Sequence, residues 1–241
     1  MKISVIIPAF NEERLLAATL AEVQRSLKPF ADLNWDTELI VCDNNSTDRT
    51  ADIARAAGAK VVFEAVNQIA RARNSGAAAA TGDWLLFIDA DSHPSPELMQ
   101  DVADAIQSGR YAAGGVTLRM VTRNTFARVM SSAWNGLSRL RRLMAGSFIF
   151  VETKAFRAVG GFSLELFAGE ELDLSLRLTK HAKLSGQRLV ILHRHPLVTS
   201  GRKLDLYSQR ELVGFMIRAL ISPRRVMRSR EECHPWYDGR R

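Results

Sequence analysis

The sequence predicts an α/β fold: one mostly parallel sheet covered by helices on both faces. Three observations carry this. Short apolar runs alternate with segments of helical period through the first hundred residues. Three of those runs end directly in polar clusters, at Asn11-Glu12, at residues 43–48 and at residues 89–91; in such sheets ligands bind beyond the carboxyl ends of the strands, so the clusters should converge on one edge. With 241 residues, 46% apolar and 24% charged, the chain has material for one large core and no collagen-like, low-complexity or disordered character.

The elements follow in order. Residues 3–7 are β-branched and close at Pro8, a buried strand. Beyond Asn11, a plausible cap, Leu16, Leu20, Val23 and Leu27 share one helical face, with Glu12 and Glu13 in the first turn. Residues 38–42 form the second strand, residues 49–57 a helix stopped by Gly58, and residues 60–63 a short strand. An alanine-rich helix over 68–80 precedes the strand 84–88, and Pro96 opens the next helix behind Ser95. The second half is less regular. Strands are expected over 114–120, 147–151 and 189–192, and helices over 124–143, 170–180 and 204–221, with Asp173 and Arg177 placed to pair at i,i+4. Neither an internal repeat nor a Pro-, Gly- or Ser-rich linker interrupts the chain, so residues 1–241 read as a single domain. Within it, residues 1 to about 110 read as a nucleotide half, about 111–203 as a partner half, and 204–241 as a C-terminal helix with a basic tail.

Charge divides the same way. The first 120 residues carry 11 Lys+Arg against 16 Asp+Glu; the remainder carries 22 against 10. The second half therefore suits an anionic partner, phosphate, nucleic acid or a lipid surface, set against the plainer reading of a solvated basic face. No run approaches the ~20 apolar residues that cross a bilayer, and the first residues lack the apolar core of a signal peptide. Cys42 and Cys233 are too few for a disulfide framework, so a reducing cytoplasm is the expected compartment. The apolar stretch 204–221, followed by Arg224, Arg225, Arg228 and Arg230, reads either as a core helix with a solvated tail or as a peripheral anchor on the inner face of the membrane.

Asp89 and Asp91 stand one residue apart at a strand end, where both carboxylates can reach a hard divalent cation that shares its ligands with substrate phosphates. Alone, Asp-x-Asp is mostly a turn; the strongly apolar strand before it argues for a counter-charge. Residues 43–48 read as a turn with a helix cap, or as a hydrogen-bonding edge on which Asp43 accepts from a base or ribose. Arg71 and Arg73, just before Asn74, are exposed helix arginines or phosphate ligands.

Together, Ile6-Ile7-Pro8-Ala9-Phe10-Asn11-Glu12-Glu13, Val41-Cys42-Asp43-Asn44-Asn45-Ser46-Thr47-Asp48, Arg71-Ala72-Arg73-Asn74-Ser75-Gly76 and Phe87-Ile88-Asp89-Ala90-Asp91 closely resemble family 2 glycosyltransferases. Gly169-Glu170-Glu171-Leu172-Asp173-Leu174 is similar to the start of a further helix of that family, and residues 198–202 match more loosely. The resemblance implies a GT-A-type fold, a single Rossmann-like sheet, that moves a sugar from a nucleotide diphosphate sugar to a hydroxyl or a lipid-linked phosphate. It implies a nucleotide site lined by Pro8, Phe10, Asn11, Glu12, Asp43, Arg71, Arg73, Asn74, Asp89 and Ala90, with Mn²⁺ or Mg²⁺ on Asp89 and Asp91. Glu171 stands at the family's aspartate base position, one methylene longer, so Glu170 or Glu171 can project toward the acceptor. Some enzymes of this fold place a late histidine on the metal, which makes His195 a candidate against the plainer reading of a surface or locally bonded histidine.

Competing classes fit less well. A nucleotidyltransferase wants a glycine-rich basic loop after the first strand, and a dehydrogenase wants Gly-x-Gly-x-x-Gly there; this chain has Pro8-Ala9-Phe10-Asn11-Glu12. A specific nucleic-acid binder leaves two acidic strand ends unexplained, because carboxylates repel phosphate unless a metal intervenes. A non-catalytic sugar-nucleotide or anion binder on the same fold stays open.

Overall fold

The computed structural model describes residues 1–122, 125–200 and 222–233, with positions 211, 214 and 218 between them. Of the predicted helix over 204–221, only positions 211, 214 and 218 are described, all three helical; the rest lies outside the described residues. Strands β1 (Lys2–Ala9), β2 (Asp36–Asp43), β3 (Lys60–Phe63), β4 (Trp84–Ile88), β5 (Ser92–His93), β6 (Tyr111–Val121), β7 (Phe148–Glu152) and β8 (Arg188–Ser200) form one sheet in the order β3-β2-β1-β4-β7-β6-β8-β5. The first four pair in parallel. β7 inserts antiparallel between β4 and β6, β8 runs parallel to β6, and β5 closes the edge antiparallel to β8.

Strand alternation explains the two-sided core. On β1, Ile3, Val5, Ile7 and Ala9 enter one apolar cluster and Ile6 the other. A strand buried on both faces needs a continuous apolar run, and residues 3–7 supply one broken only by Ser4, whose hydroxyl donates to Glu38 at 2.6 Å. Helix α1 (Leu16–Ser26) buries Leu16, Leu20 and Val23, the stripe predicted from its period. The short α2 (Lys28–Asp32) carries Phe30, stacked on Trp35 with ring centroids 5.8 Å apart. Helices α3 (Thr50–Ala56), α4 (Ile69–Ala78) and α5 (Pro96–Gln107) follow their strands, α5 capped by the Ser95 hydroxyl accepting from Leu98 N. On α4, Gly76 is required by close approach: a Cβ there would stand 2.5 Å from Ile6 Cγ2. Helix α6 (Thr125–Arg141), the short α7 (Thr153–Ala158), α8 (Glu170–Leu184) and α9 (Pro223–Arg228) complete the described elements.

Four expectations change. Helix α1 begins at Leu16 rather than near Asn11, because Asn11 adopts φ 53° and accepts from Thr47 N at 2.8 Å, bridging to the loop after β2. The strand expected over 189–192 continues to Ser200, since the register with β6 jumps from Val116↔Leu192 to Leu118↔Leu197 and pairing then resumes. α2, α7 and β5 are too short to show a period. The start of the basic tail is not simply solvated: Val226 and Cys233 are buried, Phe167 N donates to Met227 O at 2.7 Å, and Arg228 pairs with Glu165 at 2.6 Å. Among the described residues, no helix is long and apolar enough to cross a membrane.

Candidate active site

β4 delivers its polar end to the middle of the sheet. Asp89 N donates to Ser147 O at 3.2 Å, and Ser92 N to Asp89 O at 3.1 Å, so residues 89–92 turn sharply. The Thr19 hydroxyl on α1 holds Ala90 O at 2.7 Å, and Ser92 then pairs with Thr199 on β8. The turn is thereby fixed on both sides, with Asp89 and Asp91 lining one cavity of about 250 Å³. Glu170 and Glu171 line the same cavity from the start of α8. Gly169, at φ +73°, makes the bend that leads into this helix, and three acids in its first turn suit the positive end of the helix dipole. Ser175 ties that turn down: its hydroxyl donates to Glu171 O at 2.7 Å and accepts from Met144 N at 3.0 Å.

Arg73 holds the two acidic elements together. It is 1% exposed; Nη1 donates to Glu170 Oε1 at 2.8 Å, while Nη2 donates to Asp89 Oδ1 and to Gly146 O, both at 2.9 Å. Its guanidinium lies 5.2 Å from the centre of the Phe162 ring. Burial acts against its charge, but Asp89, Glu170 and Glu171 more than offset it and raise its pKa. Glu170 is 4% exposed beneath this guanidinium; Glu171 is only partly buried. Desolvation, then the neighbouring Glu170 carboxylate, pushes Glu171 up to about 8. Two adjacent acids thus have different surroundings, one held in an ion pair and the other facing the cavity with a proton affinity near neutrality.

The other expected residues distribute along the sheet edge, and several bind protein rather than open space. Pro8 is buried in β1 opposite Cys42, followed by the partly exposed Phe10. Glu12 is 5% exposed, and its N donates to Thr50 Oγ1 at 2.9 Å. Asp43, 6% exposed at the end of β2, accepts from Ser46 N at 3.0 Å, which is the turn-capping role read from sequence. It does not line the cavity of Asp89 and Asp91. Arg71 Nε donates to Gln68 Oε1 at 3.1 Å. Asn74 grips the backbone of Phe162 with both amide atoms, at 2.9 and 3.0 Å, and so clasps the loop after α7. His195 stands apart from this cavity. Its Nδ1 lies 3.0 Å from Asp101 Oδ2 on α5, and it is absent from the lining of the cavity, because the jump in register puts residues 193–196 opposite Thr117 alone.

Sequence reading missed four supporting residues. Gln68 Nε2 donates to the carbonyls of Leu164 and Leu166, both at 2.9 Å, holding the loop that enters α8. Asn135 on α6 pairs with both backbone groups of Leu118, a residue of the cavity wall. Gly146 and Ser147 complete the floor. Only Gln68, next to the recognised Arg71-Ala72-Arg73, had a neighbouring signal.

The profile of Glycosyl transferase family 2 matches residues 4–164, about two thirds of the chain, covering β1 through the loop after α7. The chain belongs to glycosyl transferase family 2. An uncharacterised glycosyltransferase of Rickettsia bellii is 33% identical over 150 residues, 61% of this chain and 48% of that protein. A dolichol-phosphate mannosyltransferase of Pyrococcus furiosus is 31% identical over 127 residues, 48% of this chain and 35% of that one. This family 2 chain thus spans about half the length, or less, of these relatives. Among solved structures, a mannosyltransferase from Pyrobaculum calidifontis in complex with GDP-Man and Mn²⁺ superposes with a TM-score of 0.68 at 17% identity, over 98% of this chain and 67% of that one. That likeness establishes the GT-A fold.

For a metal, the residues of this family 2 chain offer a specific donor set. Among the described residues, no group of three or more His, Cys, Asp or Glu side chains is placed to hold an ion by protein alone. Asp89 and Asp91 remain, two hard oxygen donors on one cavity wall. Such a pair fits a cation that takes its other ligands from phosphate and water, as Mg²⁺ and Mn²⁺ do.

Proposed function

We propose that this chain transfers a sugar, with inversion, from a nucleotide diphosphate sugar to a hydroxyl or lipid-borne phosphate oxygen, with Mn²⁺ or Mg²⁺ held by Asp89 and Asp91. The observation that carries the reading is the shared cavity: Asp89 and Asp91 on one wall, Glu171 on another, and Arg73 locking Asp89 to Glu170 between them.

The division of labour follows from surroundings. Glu170 is buried against Arg73 and serves to position it. Glu171 faces the cavity and acts as general base, taking the proton of an acceptor hydroxyl as its oxygen attacks the anomeric carbon. The bond from that carbon to the diphosphate breaks on the opposite side, and its electron pair leaves with the diphosphate. A base is most effective when its pKa lies near the working pH, and burial brings Glu171 there. Asp89 and Asp91 would hold the divalent cation, which when bound would supply charge stabilisation to the departing diphosphate. Pro8, Phe10, Asn11, Glu12 and Asp43 line the approach for the nucleotide, Asp43 accepting from base or ribose, while Asp89 and Ala90 bound its phosphate end. Arg73 and Asn74 act behind this surface, through Asp89 and the Phe162 loop. Arg71 stands beside the same approach as a cation for phosphate.

A thermal-shift panel of UDP-, GDP- and TDP-sugars with and without Mn²⁺ tests the reading, since a ligand that binds the native state raises its melting temperature. One donor class should stabilise the protein in a metal-dependent way, and Asp91→Asn should abolish the shift. A folded sample that responds to no activated sugar overturns it in favour of a non-catalytic binder.

A further inference from the structure

Helix α6 presents an apolar face that nothing among the described residues covers. Val129 is 60% exposed, Leu137 45% and Leu140 78%, with the exposed Ala133 between them and Val121 64% exposed at the end of β6. At about 100° per residue, positions 129, 133, 137 and 140 fall within roughly one quadrant of the helix. Arg128 and Arg139 border that quadrant on one side and Arg141 on the other, all three exposed. The opposite face is the anchored one: Ser138 is buried, its hydroxyl donating to Leu143 O at 2.6 Å, and Asn135 holds both backbone groups of Leu118.

Charge decides what the exposed face is for. From Ala105 to Val151 the chain contains seven arginines and not one Asp or Glu. A solvated helix normally mixes signs for its own i,i+4 pairs, whereas α6 has cations alone around an apolar stripe. A second copy of this face would bring arginine against arginine. An anionic bilayer satisfies both halves of the pattern, apolar side chains entering the acyl boundary and arginines meeting the headgroups.

We infer that α6 seats this protein on an anionic lipid surface through Val129, Leu137 and Leu140, flanked by Arg128, Arg139 and Arg141. The seat is mechanically joined to the candidate site, because Leu118, gripped by Asn135 of α6, is part of the cavity wall. The membrane would therefore lie at a fixed place relative to the cavity, independent of which sugar is used.

The test is co-sedimentation of the full chain with sucrose-loaded vesicles, with no nucleotide present, so that it stands apart from the sugar-transfer reading. Vesicles of phosphatidylcholine with about one third phosphatidylglycerol should pellet the protein, and phosphatidylcholine alone should not. Leu137→Asp combined with Leu140→Asp should weaken binding by at least about tenfold, as should Arg139→Ala with Arg141→Ala, since each arginine near a charged surface contributes measurably. Leu184→Asp, an equally exposed leucine at the end of α8 (87% exposed), should change nothing. Circular dichroism confirms that the variants fold. Binding that ignores anionic lipid, or that survives both α6 variants, overturns the proposal and moves the contact elsewhere, residues 204–221 included. A concentration-dependent dimer that disappears in the leucine variant overturns it in favour of a second copy.

Discussion

Arg73 and Glu170, 97 residues apart in sequence, meet at 2.8 Å with side chains 2% and 5% exposed. The contact joins α4 to the first turn of α8, and the same guanidinium reaches Asp89 at the end of β4. One buried cation therefore sets the spacing between the two groups of acids around the cavity.

Removing that cation should be costly. Arg73→Met leaves Glu170 buried without its counter-charge, and breaking a buried pair from one side typically costs about 3–5 kcal/mol. Urea denaturation should show a loss of that size. The double variant Arg73→Met/Glu170→Leu should recover part of it, with a coupling energy of at least about 1 kcal/mol in the cycle. Strict additivity would mean that the pair does not interact.

Glu171→Gln should leave donor binding intact and reduce transfer by at least ~100-fold, the low end for losing a general base. In the unsubstituted protein kcat/KM should rise with pH, pass half its plateau near 8 and level off above that, because the active form is the ionised one and its pKa is raised to about 8. Near-normal turnover in the Gln variant removes Glu171 from the role.

The same raised pKa has a consequence for stability. Between the ordinary value of 4.5 and about 8, folded Glu171 retains a proton that the unfolded chain has released. Unfolding then releases a proton, so stability contributed by this group is present at low pH and is lost as pH rises through that window. Melting temperatures measured from pH 5 to pH 9 should fall less steeply in Glu171→Gln.

Asn74→Ala tests the clasp on Phe162. Two hydrogen bonds to a partly buried backbone are lost, and stability should drop by about 1–3 kcal/mol. Donor affinity measured on the folded variant should remain within about threefold. A selective loss of donor binding with unchanged stability would restore Asn74 to the ligands.

His195→Ala should leave the metal requirement unchanged. Its pair with Asp101 has a 43% exposed histidine, so the stability change should stay under about 1 kcal/mol. A metal dependence that weakens in this variant would bring His195 back to the site.

Much of the first half could be read locally. The runs at 60–63 and 84–88 match β3 and β4, and the stripe Leu16, Leu20, Val23 matches the buried face of α1, because a strand buried on both faces and an amphipathic helix each leave a short-range period. The acids at 89 and 91 were legible for the same reason, as polar residues where an apolar run stops. Asp173 and Arg177 were legible as neighbours on one helical face and are bonded at 2.7 Å. The antiparallel β7 between β4 and β6 was not, since a strand's direction and partners leave no mark in its own residues.

The amino-acid order by itself determined the longer strands and helices, though not α2, α7, β5 or the full length of β8, and it determined that acids follow the strand 84–88 and that Glu170 and Glu171 open a helix. Only the folded chain decided that Glu170 is held by Arg73 while Glu171 faces the cavity, that Asn74 clasps a backbone, and that His195 pairs with Asp101. The physical reason is range. A period records what a residue does to neighbours within a few positions, whereas burial, counter-charge and pKa are set by groups about ninety to a hundred positions away that meet only once the sheet is assembled.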